Sequence, residues 1–91
     1  MNIFSKYRLG DSYAVTVGDN IGKMYMYIDK SKTDYQFLTV PELLNVSVPC
    51  EIFDRAVSSG IVEFIERVPK YVRKISEIQF RENKKKLQST T

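Results

Sequence analysis

A catalytic chain of this size would need a nucleophile with a base beside it, a working pair of carboxylates, or a set of metal ligands. The only thiol is Cys50, just after Pro49 at the start of a predicted helix. Helix N-terminal amides lower a thiol pKa, but none of the 91 residues is a histidine that could serve as its base. The same absence removes the commonest zinc ligand, and one cysteine leaves no multi-cysteine metal site and no internal disulfide. Carboxylates recur in pairs, Asp29 with Asp34, Glu51 with Asp54 and Glu63 with Glu66. Such pairs do general acid–base work, but turns and helix surfaces account for these spacings. Segment 18–22 (Gly-Asp-Asn-Ile-Gly) matches neither phosphate-loop pattern. The residues imply no enzyme, no cofactor and no metal.

Charge is the stronger signal. The whole chain carries +3, yet residues 66–91 alone carry eight basic and three acidic side chains, leaving −2 for residues 1–65. One C-terminal element therefore holds the basic character, and such an element attracts acidic protein surfaces or phosphate. Its candidate partner-binding residues are Lys70, Arg73, Lys74, Phe80, Arg81, Lys84 and Lys85. Phe80 sits beside Arg73 and Lys84, so it is either an apolar anchor among cations or a contact with the rest of the fold. A solvated helix face with cations compensating the C-terminal dipole is the plainer account of the lysines. Tyrosines form a second candidate. Tyr25 and Tyr27 share one strand face with Tyr7, Tyr13 and Tyr35 on neighbouring segments. Exposed, Tyr25 and Tyr27 would stack bases; under helices, they would be core.

The elements that must position these groups follow from periodicity. Residues 13–17 and 23–29 alternate, with Met24, Met26 and Ile28 opposite Tyr25 and Tyr27. The turn residues of 18–22 between them predict a hairpin. Segments 3–9 and 35–38 read as further strands, giving an antiparallel meander of three to four strands. Thr39, Pro41 and Glu42 fit a capping box that would open a short helix through Leu43, Leu44 and Val46. Pro49 starts another helix, with Ile52, Phe53, Ala56 and Val57 on one face and Gly60 placed to end it. Residues 61–68 fit a strand or a helix equally. Residues 69–87 are the strongest helix, with a stripe of Tyr71, Val72, Ile75 and Ile78 predicted to face the core. The expected fold is α+β: the meander, then two to three helices, the last long, amphipathic and basic. It forms one domain over 1–87 with a frayed tail at 88–91.

Residues 38–42, 45–47 and 53–60, about a quarter of the chain, resemble the helix-turn-helix of excisionase-type and MerR-type DNA-binding domains. The resemblance implies a first helix after Thr39, a recognition helix presenting Cys50, Glu51, Asp54 and Arg55 to the groove, and a wing strand over 61–68. The sequence departs from it in setting Glu51 and Asp54 against the single Arg55.

The N-terminus lacks the apolar run of a signal peptide and no stretch approaches a membrane span, so a soluble cytoplasmic protein is expected, with no membrane partner. Abundant Asn, Lys, Ile and Ser with no Trp suggest an AT-rich coding genome of low-GC bacterial, phage or mobile-element type. The expected role is a small non-catalytic binding protein of regulator or inhibitor type. It would dock on an acidic surface of a macromolecular partner through the basic C-terminal helix. The alternative is direct binding to the DNA or RNA phosphate backbone by the same face, helped by the tyrosine sheet or a degenerate helix-turn-helix at 39–60. Edge strands of the meander leave a homo-oligomer open.

Overall fold

The computed structural model describes residues 6–89. Five strands, β1 (Asp11–Val15), β2 (Met24–Lys30), β3 (Asp34–Val40), β4 (Asn45–Pro49) and β5 (Val62–Arg67), form one antiparallel sheet of order β4-β3-β2-β1-β5. Helix α1 (Cys50–Ser59) joins β4 to β5, and α2 (Lys70–Ser89) follows β5. The fold is α+β, with one more strand than the upper expectation and two helices.

Strand alternation sends the two faces of the sheet to different helices. Tyr13, Tyr27, Tyr35, Phe37 and Val62 pack with Tyr7 and with Phe53 of α1. Met26, Ile28 and Leu38 pack on the opposite face with Phe80 of α2, flanked by Leu9, Val40, Val68 and Val72. Phe37 and Leu38, adjacent in β3 and pointing opposite ways, are both fully buried. Each such burial contributes roughly 1.5–3 kcal/mol, so β3 is the shared centre of both cores.

Several expectations are corrected. The short helix after Thr39 is absent, and 45–49 is β4. Val46 and Val48 pair with Phe37 and Tyr35, so period-2 burial against β3 outweighs the capping pattern. Thr39 closes a tight turn instead: its amide donates to the Leu44 carbonyl at 2.8 Å, and its Oγ1 accepts from the Leu44 amide at 3.0 Å. Leu43 takes a left-handed φ of 62° in that turn. Without a first helix, the helix-turn-helix is lost. Residues 62–67 form not a wing but an outer strand paired with β1, so the strand alternative holds for the ambiguous 61–68 segment over 62–67. Of the strand expected over 3–9, residues 6–9 lie in bends and a turn, and 3–5 fall outside the described residues. Of the expected tail 88–91, Gln88 and Ser89 continue α2, while 90 and 91 fall outside the described residues.

Gly60 ends α1 as its position suggests, at φ 83°, with its amide directed to the Ala56 and Val57 carbonyls. Gly10 is needed for a different reason. It has φ +92°, and a Cβ there would lie 2.5 Å from Cγ and Cδ of Arg73. The arginine stem thus closes over the bare glycine where α2 crosses the start of β1.

Candidate interaction interface

Helix α2 starts directly after Val68-Pro69, and the Pro69 carbonyl accepts the Val72 and Arg73 amides at 3.0 Å each. From there it crosses the sheet diagonally. Arg73 covers Gly10 at one end. At the other, Asn45 Nδ2 donates to the Phe80 carbonyl at 3.1 Å, and Asn83 Nδ2 donates to the Leu43 carbonyl and Asn45 Oδ1 at 2.9 Å each. These anchors fix which face points inward: Val72, Ser76 and Phe80, spaced by four. Ser76 and Phe80 are each 5% exposed. The small Ser76 between two larger residues lets the helix seat on Met26, Ile28 and Leu38.

That seating overturns two expectations. Phe80 is a core residue rather than an exposed anchor. Its ring belongs to the cluster with Met26, Ile28 and Leu38, and Lys84 Nζ lies 5.2 Å above it, a cation–π distance. The stripe predicted to face the core is split. Val72 packs, but Tyr71, Ile75 and Ile78 are 70%, 63% and 49% exposed. The spacing 72, 76, 80 was the available signal, hidden because its central member is a serine.

The cations hold the remaining outer surface. Lys70, Lys74, Arg81, Lys84 and Lys85 are exposed and Arg73 is half-buried. Arg81 pairs with Glu77 at 3.7 Å. Lys70, Arg73, Lys74 and Glu77 surround a shallow cleft floored by Leu9. Glu77, Arg81 and Lys84 border a second cleft with Ile28 and Asp29. No acidic residue lies in the first turn of α2. The positive end of the helix dipole therefore coincides with Lys70, Arg73 and Lys74. The last-turn Lys86 sits where the dipole favours a cation; these three sit where it does not.

The tyrosines are not an open stacking platform. Tyr27 is buried at 4% exposure and Tyr25 is half-buried, its ring T-shaped to Phe37 at 6.2 Å. Tyr7 and Tyr35 both donate to Asp54 of α1, at 2.8 and 3.0 Å, and Lys6 approaches the same carboxylate at 3.9 Å. Burial, and then donation to Asp54, pushes the Tyr7 and Tyr35 hydroxyls far above their ordinary range. Burial chiefly pushes Tyr13 up to about 12. Asp54 is thus occupied by the fold rather than presented to a groove. Cys50 is half-buried and lies against the Tyr35 hydroxyl.

Among the described residues no group of three or more Cys, Asp or Glu is placed to hold a metal ion, and no helix is long and apolar enough to cross a membrane. Comparison with family models, curated proteins and solved structures finds no match to this chain.

Proposed function

We propose that this chain is a small non-catalytic binding protein of regulator or inhibitor type, docking on an acidic surface of a larger protein through the cation-bearing flank of α2. The observation that carries this reading is the cluster at the start of that helix. Lys70 and Lys74 stand at the positive dipole end with no acid in the first turn, an arrangement that costs helix stability. Breaking a local rule without a structural return marks a functional surface. The Leu9 cleft among these cations supplies the apolar contact once expected of Phe80. Partner carboxylates would meet Lys70, Lys74 and Arg81, while Arg73 is held by its own fold. One free thiol and no disulfide suit a reducing cytoplasm.

The second reading is phosphate-backbone binding by the same cations, favoured by their run along one helix. Fluorescence anisotropy separates the two. A short labelled peptide rich in Glu, Asp and Leu, single-stranded DNA, duplex DNA and RNA are each titrated at ~50 and ~200 mM salt, the range where phosphate contacts respond. Peptide binding that the Lys70→Ala, Lys74→Ala, Arg81→Ala triple abolishes supports the protein partner. Nucleic-acid binding that falls linearly in log salt, with no peptide binding, overturns it.

A further inference from the structure

The sheet has two edges, and they are guarded unequally. Strand β5 shifts register against β1 between Ser12 and Tyr13, a bulge, and its exposed Phe64 and Ile65 lie between the exposed Glu63 and Glu66. Bulges and edge charges protect a strand from pairing with another chain. Strand β4, residues 45–49 (Asn-Val-Ser-Val-Pro), carries no charge and no register shift against β3. Its one guard, Pro49, stands at the strand end. The unpaired backbone groups of β4 follow from its ladder. The Cys50 amide donates to the Thr33 carbonyl at 2.9 Å and the Thr39 amide to the Leu44 carbonyl at 2.8 Å. In this register Val46 and Val48 bond inward to β3. Asn45 and Ser47 alternate with them and turn their amides and carbonyls outward, where no strand lies among the described residues.

This edge is complementary to itself. Two copies laid antiparallel about a two-fold axis at Val46 pair Asn45 of each with Ser47 of the other, both residues exchanging amide–carbonyl bonds. A slip of one residue sets outward groups against inward ones. Pro49, with no amide, weakens a slip toward the strand end, and the Leu43 amide is already taken by the Thr39 carbonyl at 2.8 Å, which opposes a slip the other way. In the matched register the side chains sort by face. On the α1 face Val46 meets its counterpart, and Leu44, 59% exposed, meets the half-buried Val48. On the α2 face Asn45 meets Ser47. The charges at the two ends are mixed. Lys23 and Glu42 share a cleft with Leu44, and Lys32, Asp34 and Glu51 share one with Pro49, so the antiparallel arrangement opposes both signs to both signs. Glu82, Lys84, Lys85 and Lys86 flank Asn83, which reaches Asn45 from α2, and are mixed as well. Backbone and apolar contacts carry the pairing, and it draws on no single charge. We infer that β4 is the contact for a second copy of the chain, the two sheets joining edge to edge about a two-fold axis. A head-to-tail join of β4 to β5 meets the bulge with Glu63 and Glu66, so the assembly closes as a symmetric dimer. The inference does not rest on the acidic-partner reading, because it uses none of Lys70, Lys74 or Arg81.

Sedimentation velocity of the full chain over a concentration series, with amide hydrogen exchange by NMR on the same samples, tests it. The expected result is a concentration-dependent species of twice the 10.6 kDa chain mass. In it the Asn45 and Ser47 amides gain protection that dilution removes, while the outward Val62 and Phe64 amides of β5 gain none. Ser47→Pro deletes an amide that β3 does not use, a substitution an edge strand tolerates. It should raise the dimer dissociation constant at least about tenfold with unchanged far-ultraviolet circular dichroism. Val46 faces its own counterpart, so Val46→Lys and Val46→Glu should each weaken the dimer, and mixing the two variants should restore it, a rescue misfolding cannot produce. A monomer mass at every concentration overturns the inference. Protection of the Asn45 and Ser47 amides in a monomer overturns it too, by giving the edge to another occupant. So does a dimer that Ser47→Pro leaves intact, or a mixture that associates no better than either variant alone.

Discussion

The two helices cover the same sheet by opposite means. Helix α1 follows local rules: Glu51 lies in its first turn, Gly60 caps it, and Phe53 inserts into a ring cluster with Tyr7, Tyr13, Tyr35 and Phe37. Helix α2, twice as long at 20 residues against 10, seats on Val72, Ser76 and one large ring, Phe80. It turns Tyr71, Ile75 and Ile78 outward and opens with cations. Apart from the exposed Ile52, α1 is largely accounted for by stability; much of α2 is not. A helix held by a narrow contact line leaves two flanks free, and here one is apolar and the other cationic.

The contrast is broken most sharply by truncation. Phe80→Ala and Phe53→Ala should each cost about 3–5 kcal/mol in urea denaturation, the range for buried aromatic rings. Ile75→Ala should stay within about 0.5 kcal/mol. A large loss at Ile75 would mean that the outward stripe of Tyr71, Ile75 and Ile78 belongs to the core. Asp54→Ala leaves the Tyr7 and Tyr35 hydroxyls without the carboxylate both share, and should cost about 1–3 kcal/mol by the same assay. Gly10→Ala meets both the positive φ and the Arg73 stem, and a loss of about 1–3 kcal/mol is expected; an equal midpoint would show that Arg73 moves aside freely.

The α1 side should also respond to alkali. Tyr13 is pushed up from 10.0 to about 12 by burial, so its neutral form is favoured in the fold. That contribution is complete below about pH 10, the unfolded value, and is lost as pH rises through 12. Denaturation midpoints should fall steadily across that window, with tyrosinate absorbance of the buried rings appearing as the protein unfolds. Flat midpoints there would remove Tyr13 from the core.

Period-2 alternation made β1, β2 and β3 readable from sequence, and Pro69 with the following periodicity made α2 readable. β4 was obscured because Thr39, Pro41 and Glu42 imitate a helix start, while the deciding partner, β3, is set by tertiary pairing. The inner face of α2 was obscured because the apolar stripe of Tyr71, Ile75 and Ile78 outscores 72, 76 and 80 on hydrophobicity alone. The anchors that decide it, Gly10 under Arg73 and Asn45 with Asn83, are distant in sequence. The cations were visible at once.

The smallest expected effect tests the central claim most directly. Lys70→Glu places an acid at the start of α2 and should raise stability by about 0.3–1 kcal/mol. Measured on the same samples, binding of the labelled acidic peptide should weaken. A stabilised fold with weakened binding is the predicted result, showing that the cations serve docking at the expense of the helix. A destabilised fold with binding unchanged would contradict the account and return Lys70 to the architecture.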